Sequence, residues 1–135
     1  MGFSLDHLLV PSADPEAAAR RLAELMGVPW GPARFGPFTS VYVSDSLTLD
    51  FDQWPEPLPQ GHWCFQCDEA SFDAVLARLR EQGIPFRSQP HGSDDFTVNT
   101  QLGSRIVYWS EPDGHVWELL TESYARAPQA PPRAR

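Results

Sequence analysis

The chain has 135 residues, a formal net charge of −8 and 41% hydrophobic residues, which suits one globular domain with an ordinary core. The acidic balance argues against nucleic acid as a partner, because phosphate binding needs clustered Lys and Arg. No apolar run approaches the roughly 20 residues that span a bilayer. The opening MGFSLDHLLV lacks a basic segment followed by a long apolar stretch, so neither a signal peptide nor a membrane partner is expected and the default location is cytoplasmic.

The predicted elements come in two similar sets. From His7, HLLV reads as an apolar strand. Residues 12–14 (SAD) supply a helix start, Ala18, Leu22 and Leu25 follow at helical spacing, and Gly27 with Pro29 supplies the stop. Strand-like segments follow at 30–35, 38–43 and 47–52, the last two joined by the turn Ser44-Asp45-Ser46. The stretch WPEPLPQG, 54–61, is a proline-rich connector.

At His62 the pattern begins again. HWCFQC reads as a strand, 68–71 as a helix start, Phe72, Val75, Leu76 and Leu79 as a helical face, and Gly83 with Pro85 as the stop. Strands are expected at 86–89, 105–110 and 115–121, with the turn Pro112-Asp113-Gly114 between the last two. A long loop, about 90–103, occurs in this half only, and loops of that length are often functional. The Pro- and Ala-rich tail is expected to be disordered.

Each half therefore reads β-α-β-β-β. The fold class is α+β, with a first module over 1–53, a linker over 54–61, a second module over 62–123 and a tail over 124–135. Neither half is large enough to bury its sheet face alone. The two must pair, within one chain or between two, and the pair would enclose a cleft.

The repeat places candidate ligands in register. His7 and His62 open the first strand of each half. Glu118 lies in the last strand of the second half, HVWELL, and Asp50 in LTLDF is its counterpart. A carboxylate facing a sheet concavity is costly unless paired or metal-bound. Two imidazoles and a carboxylate suit Fe(II), Mn(II), Zn(II), Ni(II) or Co(II), whereas calcium wants mostly oxygen ligands. Each residue also has a plainer reading: a hydrogen-bonded packing histidine for His7 or His62, a salt-bridge residue for Glu118, an arginine partner for Asp50. His115 reads as a turn or surface residue. Cys64 and Cys67 stand three apart on a strand, so their side chains point to opposite faces and read as packing. For a small-molecule substrate, Asn99 and Arg105 are candidates to bind oxygens, and Phe38, Tyr42 and Trp54 to wall the pocket, with ordinary core or surface roles as the alternative.

The segments LDHLLVPSADPEAAARRLAELMGVP, LTLDF, GHWCFQCDEASFDAVLARLREQGIP and YWSEPDGHVWELL resemble the vicinal-oxygen-chelate superfamily, which includes glyoxalase I, extradiol dioxygenases and the fosfomycin- and bleomycin-resistance proteins. The resemblance implies two βαβββ modules forming an open, barrel-like curved mixed sheet around a metal cleft. It implies His7, His62 and Glu118 as ligands of one divalent cation, with Asp50 as a possible fourth, and Tyr108 as a proton donor by its spacing from Glu118. It implies a homodimer, in some members with the metal site built from both chains. The expected activity is that of a metal-dependent lyase, isomerase or dioxygenase. The alternative is a metal-free protein that sequesters a drug or metabolite.

Overall fold

The computed structural model describes residues 2–127. The elements run β1 (His7–Ser12), α1 (Pro15–Met26), β2 (Trp30–Pro32), β3 (Thr39–Tyr42), β4 (Thr48–Gln53), β5 (His62–Gln66), α2 (Glu69–Glu81), β6 (Ile106–Ser110) and β7 (Val116–Leu120). They form a four-stranded mixed sheet in the order β1-β4-β3-β2 and a three-stranded one in the order β5-β7-β6. Neither closes into a barrel. In both sheets the first strand runs parallel to the last, so the duplication seen in the sequence is a duplication of topology.

Both helices start at an aspartate. The Asp14 carboxylate accepts from the Ala17 amide at 3.2 Å, and that of Asp68 from the Ser71 amide at 2.8 Å. Pro15 opens α1, where its missing N–H costs nothing. Gly27 ends that helix at φ 70°, a left-handed cap that a side chain would strain. The apolar faces, Leu22 and Leu25 in α1 and Phe72, Val75 and Leu79 in α2, are buried.

One core joins the halves. It takes Val10, Val41, Leu49 and Phe51 from the first sheet and Val107, Trp109, Trp117 and Leu119 from the second. Trp117 is its hub, stacked on Phe65 at 5.8 Å and tilted against Phe51 of the other half at 6.4 Å. Because side chains alternate along a strand, the residues between these core positions face the other way. The His and carboxylate positions are among them.

The second half departs from the expected five elements. Residues 86–89 form no strand, only an isolated bridge between Arg87 and Tyr108. The next amide along, that of Ser88, donates to the Asp95 carboxylate at 2.9 Å. That amide points away from β6, and the next ladder position, opposite Ile106, is taken by the backbone of Asn99, which ends the pairing after Arg87.

The turn of EPDGH makes the tightest joint between the halves. Asp113 accepts from the Ser12 hydroxyl at 2.6 Å and from the Ala13 amide at 3.1 Å. His115, expected at the surface, is completely buried. Its Nδ1 accepts from the Gly61 amide at 2.9 Å, so the ring proton sits on Nε2 and is donated to the Pro11 carbonyl at 2.6 Å.

Candidate functional site

On the second sheet, alternation sets His62, Cys64 and Gln66 of β5 on the face opposite the core. Register places Cys64 and Tyr108 on either side of Glu118. His62 Nε2 lies 2.9 Å from Glu118 Oε1, and the Tyr124 hydroxyl donates to Glu118 Oε2 at 2.7 Å. Glu118 is only 1% exposed, a position that a carboxylate holds only with partners. Tyr108 is buried, its ring edge-on to His62 with centroids 6.0 Å apart. Burial, and then the negative charge of Glu118, raise the Tyr108 phenol above its ordinary range. It stays protonated at neutral pH and is able to donate. The hydrogen bond to Glu118, followed by burial, raises Tyr124 likewise.

Cys64 is exposed on this same face, beside Glu118, rather than packed inside. Desolvation, and then the Glu118 charge, push its thiol up to about 12. It is a neutral thiol, not a thiolate nucleophile. Cys67 is also free, so the CFQC pair forms no disulfide.

On the first sheet, His7 and Asp50 line a separate shallow cleft with Phe38 and Tyr42. His7 Nδ1 is 2.9 Å from Asp6 Oδ2, which leaves Nε2 for another partner. The Asp6 carboxylate raises the His7 pKa. Asp50 accepts from the Ser40 hydroxyl at 2.7 Å, an anchored carboxylate that pairs with no arginine among the described residues.

Within one chain, therefore, His62 and Glu118 meet and His7 does not join them. Among the described residues no three His, Cys, Asp or Glu side chains converge on one point. Three substrate-binding candidates are engaged elsewhere. Arg105 pairs with Glu69 at 2.7 Å and Asp73 at 2.8 Å and lies over the Phe72 ring at 4.4 Å, so it fastens the chain before β6 to α2. Asn99 exchanges both backbone bonds with Ile106, and its side chain donates to the Ser88 carbonyl and accepts from the Gln101 amide, bonds that organise the 90–103 loop. Trp54 donates to Asp52 at 2.9 Å at the end of β4 and does not line the His7 cleft.

Tyr124 went unread in the sequence because it falls in the segment expected to be disordered. The structure places the tail's first residues, 124–127; its remainder, 128–135, lies outside the described residues. Cys64 was findable, since alternation from His62 sets it on the ligand face.

The donor set fits a borderline divalent cation. His7 is oriented through Nδ1 by a carboxylate, the usual arrangement behind a ligating imidazole, and the Glu118 carboxylate is held by a phenol. His62 Nε2 and Glu118 Oε1 already face each other. Among the described residues no third His, Cys, Asp or Glu converges on that pair.

No family model and no curated protein matches the chain. Solved structures do. The oxidase ChaP-H1 is 37% identical over 93% of this chain and 100% of its own, with a TM-score of 0.84. The oxidase ChaP-H2 is 31% identical over 93% of this chain and 98% of its own, with a TM-score of 0.85. The fosfomycin resistance protein FosX from Mesorhizobium loti is 19% identical over 92% of this chain and 96% of its own, with a TM-score of 0.67, a likeness of fold.

Proposed function

This chain belongs to the vicinal-oxygen-chelate superfamily, and on that premise we propose that it is a metal-dependent enzyme whose site is completed by a second copy of itself. His62 and Glu118 of one copy and His7 of the other would hold one divalent cation, with the remaining positions taken by two neighbouring oxygens of a small substrate. The observation that carries this reading is the split ligand set: a buried carboxylate and an imidazole paired at 2.9 Å on one sheet, and a carboxylate-oriented imidazole alone on the other. Two features favour the second copy as its source. β1 and β5 are each the outer strand of their sheet, and each begins with the histidine in question. Leu9 on β1 is 44% exposed, an apolar side chain on the same face as His7.

When bound, such a cation acts as a Lewis acid that stabilises negative charge on a substrate oxygen. The protein's own parts are then defined. Tyr108, protonated and edge-on to His62, donates a proton to a developing oxyanion. Phe38 and Tyr42 beside His7 supply an apolar wall for the substrate body. Asp50, held by Ser40, orients a polar group from the opposite side. The likeness to two oxidases favours oxidation, with dioxygen as oxidant, over isomerisation among the chemistries that share this ligand set.

Mixed subunits test the reading. His7→Ala and Glu118→Gln chains, each pure, should retain no Mn(II), Fe(II) or Co(II) after desalting. Co-refolded, they form heterodimers with one intact site, and metal content should recover in that fraction. Wild-type protein that takes up none of these ions, or two dead chains that stay dead together, would overturn it.

A further inference from the structure

We infer that Tyr124 is a positioning residue that keeps Glu118 to a single ligating oxygen, and so holds a position open for the substrate. The inference rests on the metal reading above and extends it to the C-terminal segment, which neither the repeat nor the strand pattern connects to the site.

After β7 the chain folds back over the strand that carries Glu118. Two side chains fasten it there. The Tyr124 hydroxyl donates to Glu118 Oε2 at 2.7 Å, and Arg126 Nη2 donates to Gln66 Oε1 at 3.3 Å. Gln66 itself reaches the Thr121 carbonyl at 3.4 Å. Gln66 shares its face with His62 and Cys64, so residues 121–127 lie along the ligand face, not the core. The ring of Tyr124 is half exposed, while the carboxylate beneath it is buried. The tyrosine is therefore part of the cover over Glu118.

The two carboxylate oxygens have different partners. Oε1 faces His62 Nε2, the direction from which a shared cation would be held. Oε2 faces the phenol. A carboxylate with one oxygen engaged by a strong donor is restrained from chelating through both. That restraint matters for a three-ligand site. Two imidazoles and one oxygen from Glu118 would leave one more position for incoming oxygens than two imidazoles and both carboxylate oxygens. In this arrangement the hydroxyl touches neither substrate nor cation and acts through Glu118.

Co(II) provides both a titrant and a spectroscopic probe, and acetohydroxamic acid supplies two neighbouring oxygens. Full-length wild type and Tyr124→Phe are titrated with Co(II) by calorimetry, their d–d absorption recorded, and acetohydroxamate then added. Tyr124→Phe retains the ring and with it the packing. The expected result is a change of about tenfold or more in Co(II) affinity, shifted d–d bands, and weaker hydroxamate binding than in wild type. A variant that keeps wild-type affinity, bands and hydroxamate binding overturns the role of Tyr124 and leaves the metal reading standing. Wild-type protein that takes up no Co(II) overturns both, and that result is read before any variant is made.

Discussion

The ring of His115 and the carbonyl of Pro11 are joined across the two halves of the molecule at 2.6 Å, with no solvent access to either side of the imidazole. The same ring accepts from Gly61. One side chain thus satisfies a donor and an acceptor that would otherwise be buried alone, since each unpaired group costs about 1–3 kcal/mol. His115→Leu keeps the bulk and removes both bonds. It should lower unfolding free energy by about 2–5 kcal/mol, measured by urea denaturation. A loss under 1 kcal/mol would show that the joint is held by packing around Trp63, whose ring meets His115 at 4.9 Å.

Glu111, in the same turn, sets a pH dependence. Burial, more than any other influence, raises its pKa from the usual 4.5 to about 7. Between those two values the native state keeps a proton that the unfolded chain has released. Stability from this group therefore falls as pH rises from about 4.5 to about 7, and levels off beyond. Glu111→Gln removes the ionisation. At pH 8 the variant should be more stable than wild type, by up to about 3 kcal/mol, and at pH 4 the gap should close. Thermal melts across that range check it; a gap independent of pH would exclude the carboxyl as its source.

Asp6 and His7 make a prediction for the metal-free protein. The hydrogen bond that His7 donates to the Asp6 carboxylate raises the His7 pKa. Asp6→Asn takes away the charge while preserving shape, so the His7 midpoint should move down, followed through its imidazole resonances by NMR. A midpoint that stays where it was would mean that the pair seen at 2.9 Å is not maintained in solution.

Arg105 separates structure from function. Its guanidinium is held by two carboxylates and an aromatic face on α2, all partly in solvent. Arg105→Ala should cost on the order of 1–2 kcal/mol in stability and leave Co(II) affinity unchanged. A large loss of metal binding would return it to the site.

How far the sequence speaks depends on where each signal comes from. His62 and Glu118 were legible because duplication and strand alternation are local patterns, and these put both residues on one face of neighbouring strands. The helix limits were legible for the same reason, in Asp14, Asp68 and Gly27. The missing strand at 86–89 was not, because the next place on the β6 ladder, opposite Ile106, is taken by Asn99 from the loop, a pairing that no local pattern announces. His115 was misplaced because a histidine beside a glycine turn looks exposed until the other half of the chain is laid against it. Tyr124 carried no periodic signal at all. Nor does any pattern within one half say whether His7 lies beside His62 within one chain.

The Asp50 and Glu118 positions are related by the internal repeat, yet Asp50 is a short side chain tied to Ser40 while Glu118 is a longer one facing His62. A cleft with equivalent walls would accept a two-oxygen ligand in either of two orientations. In the two-chain site proposed above, unlike walls would give a guest whose ends differ a preferred way round, and the regiochemistry of a product would then follow from a difference of one methylene between duplicated strands.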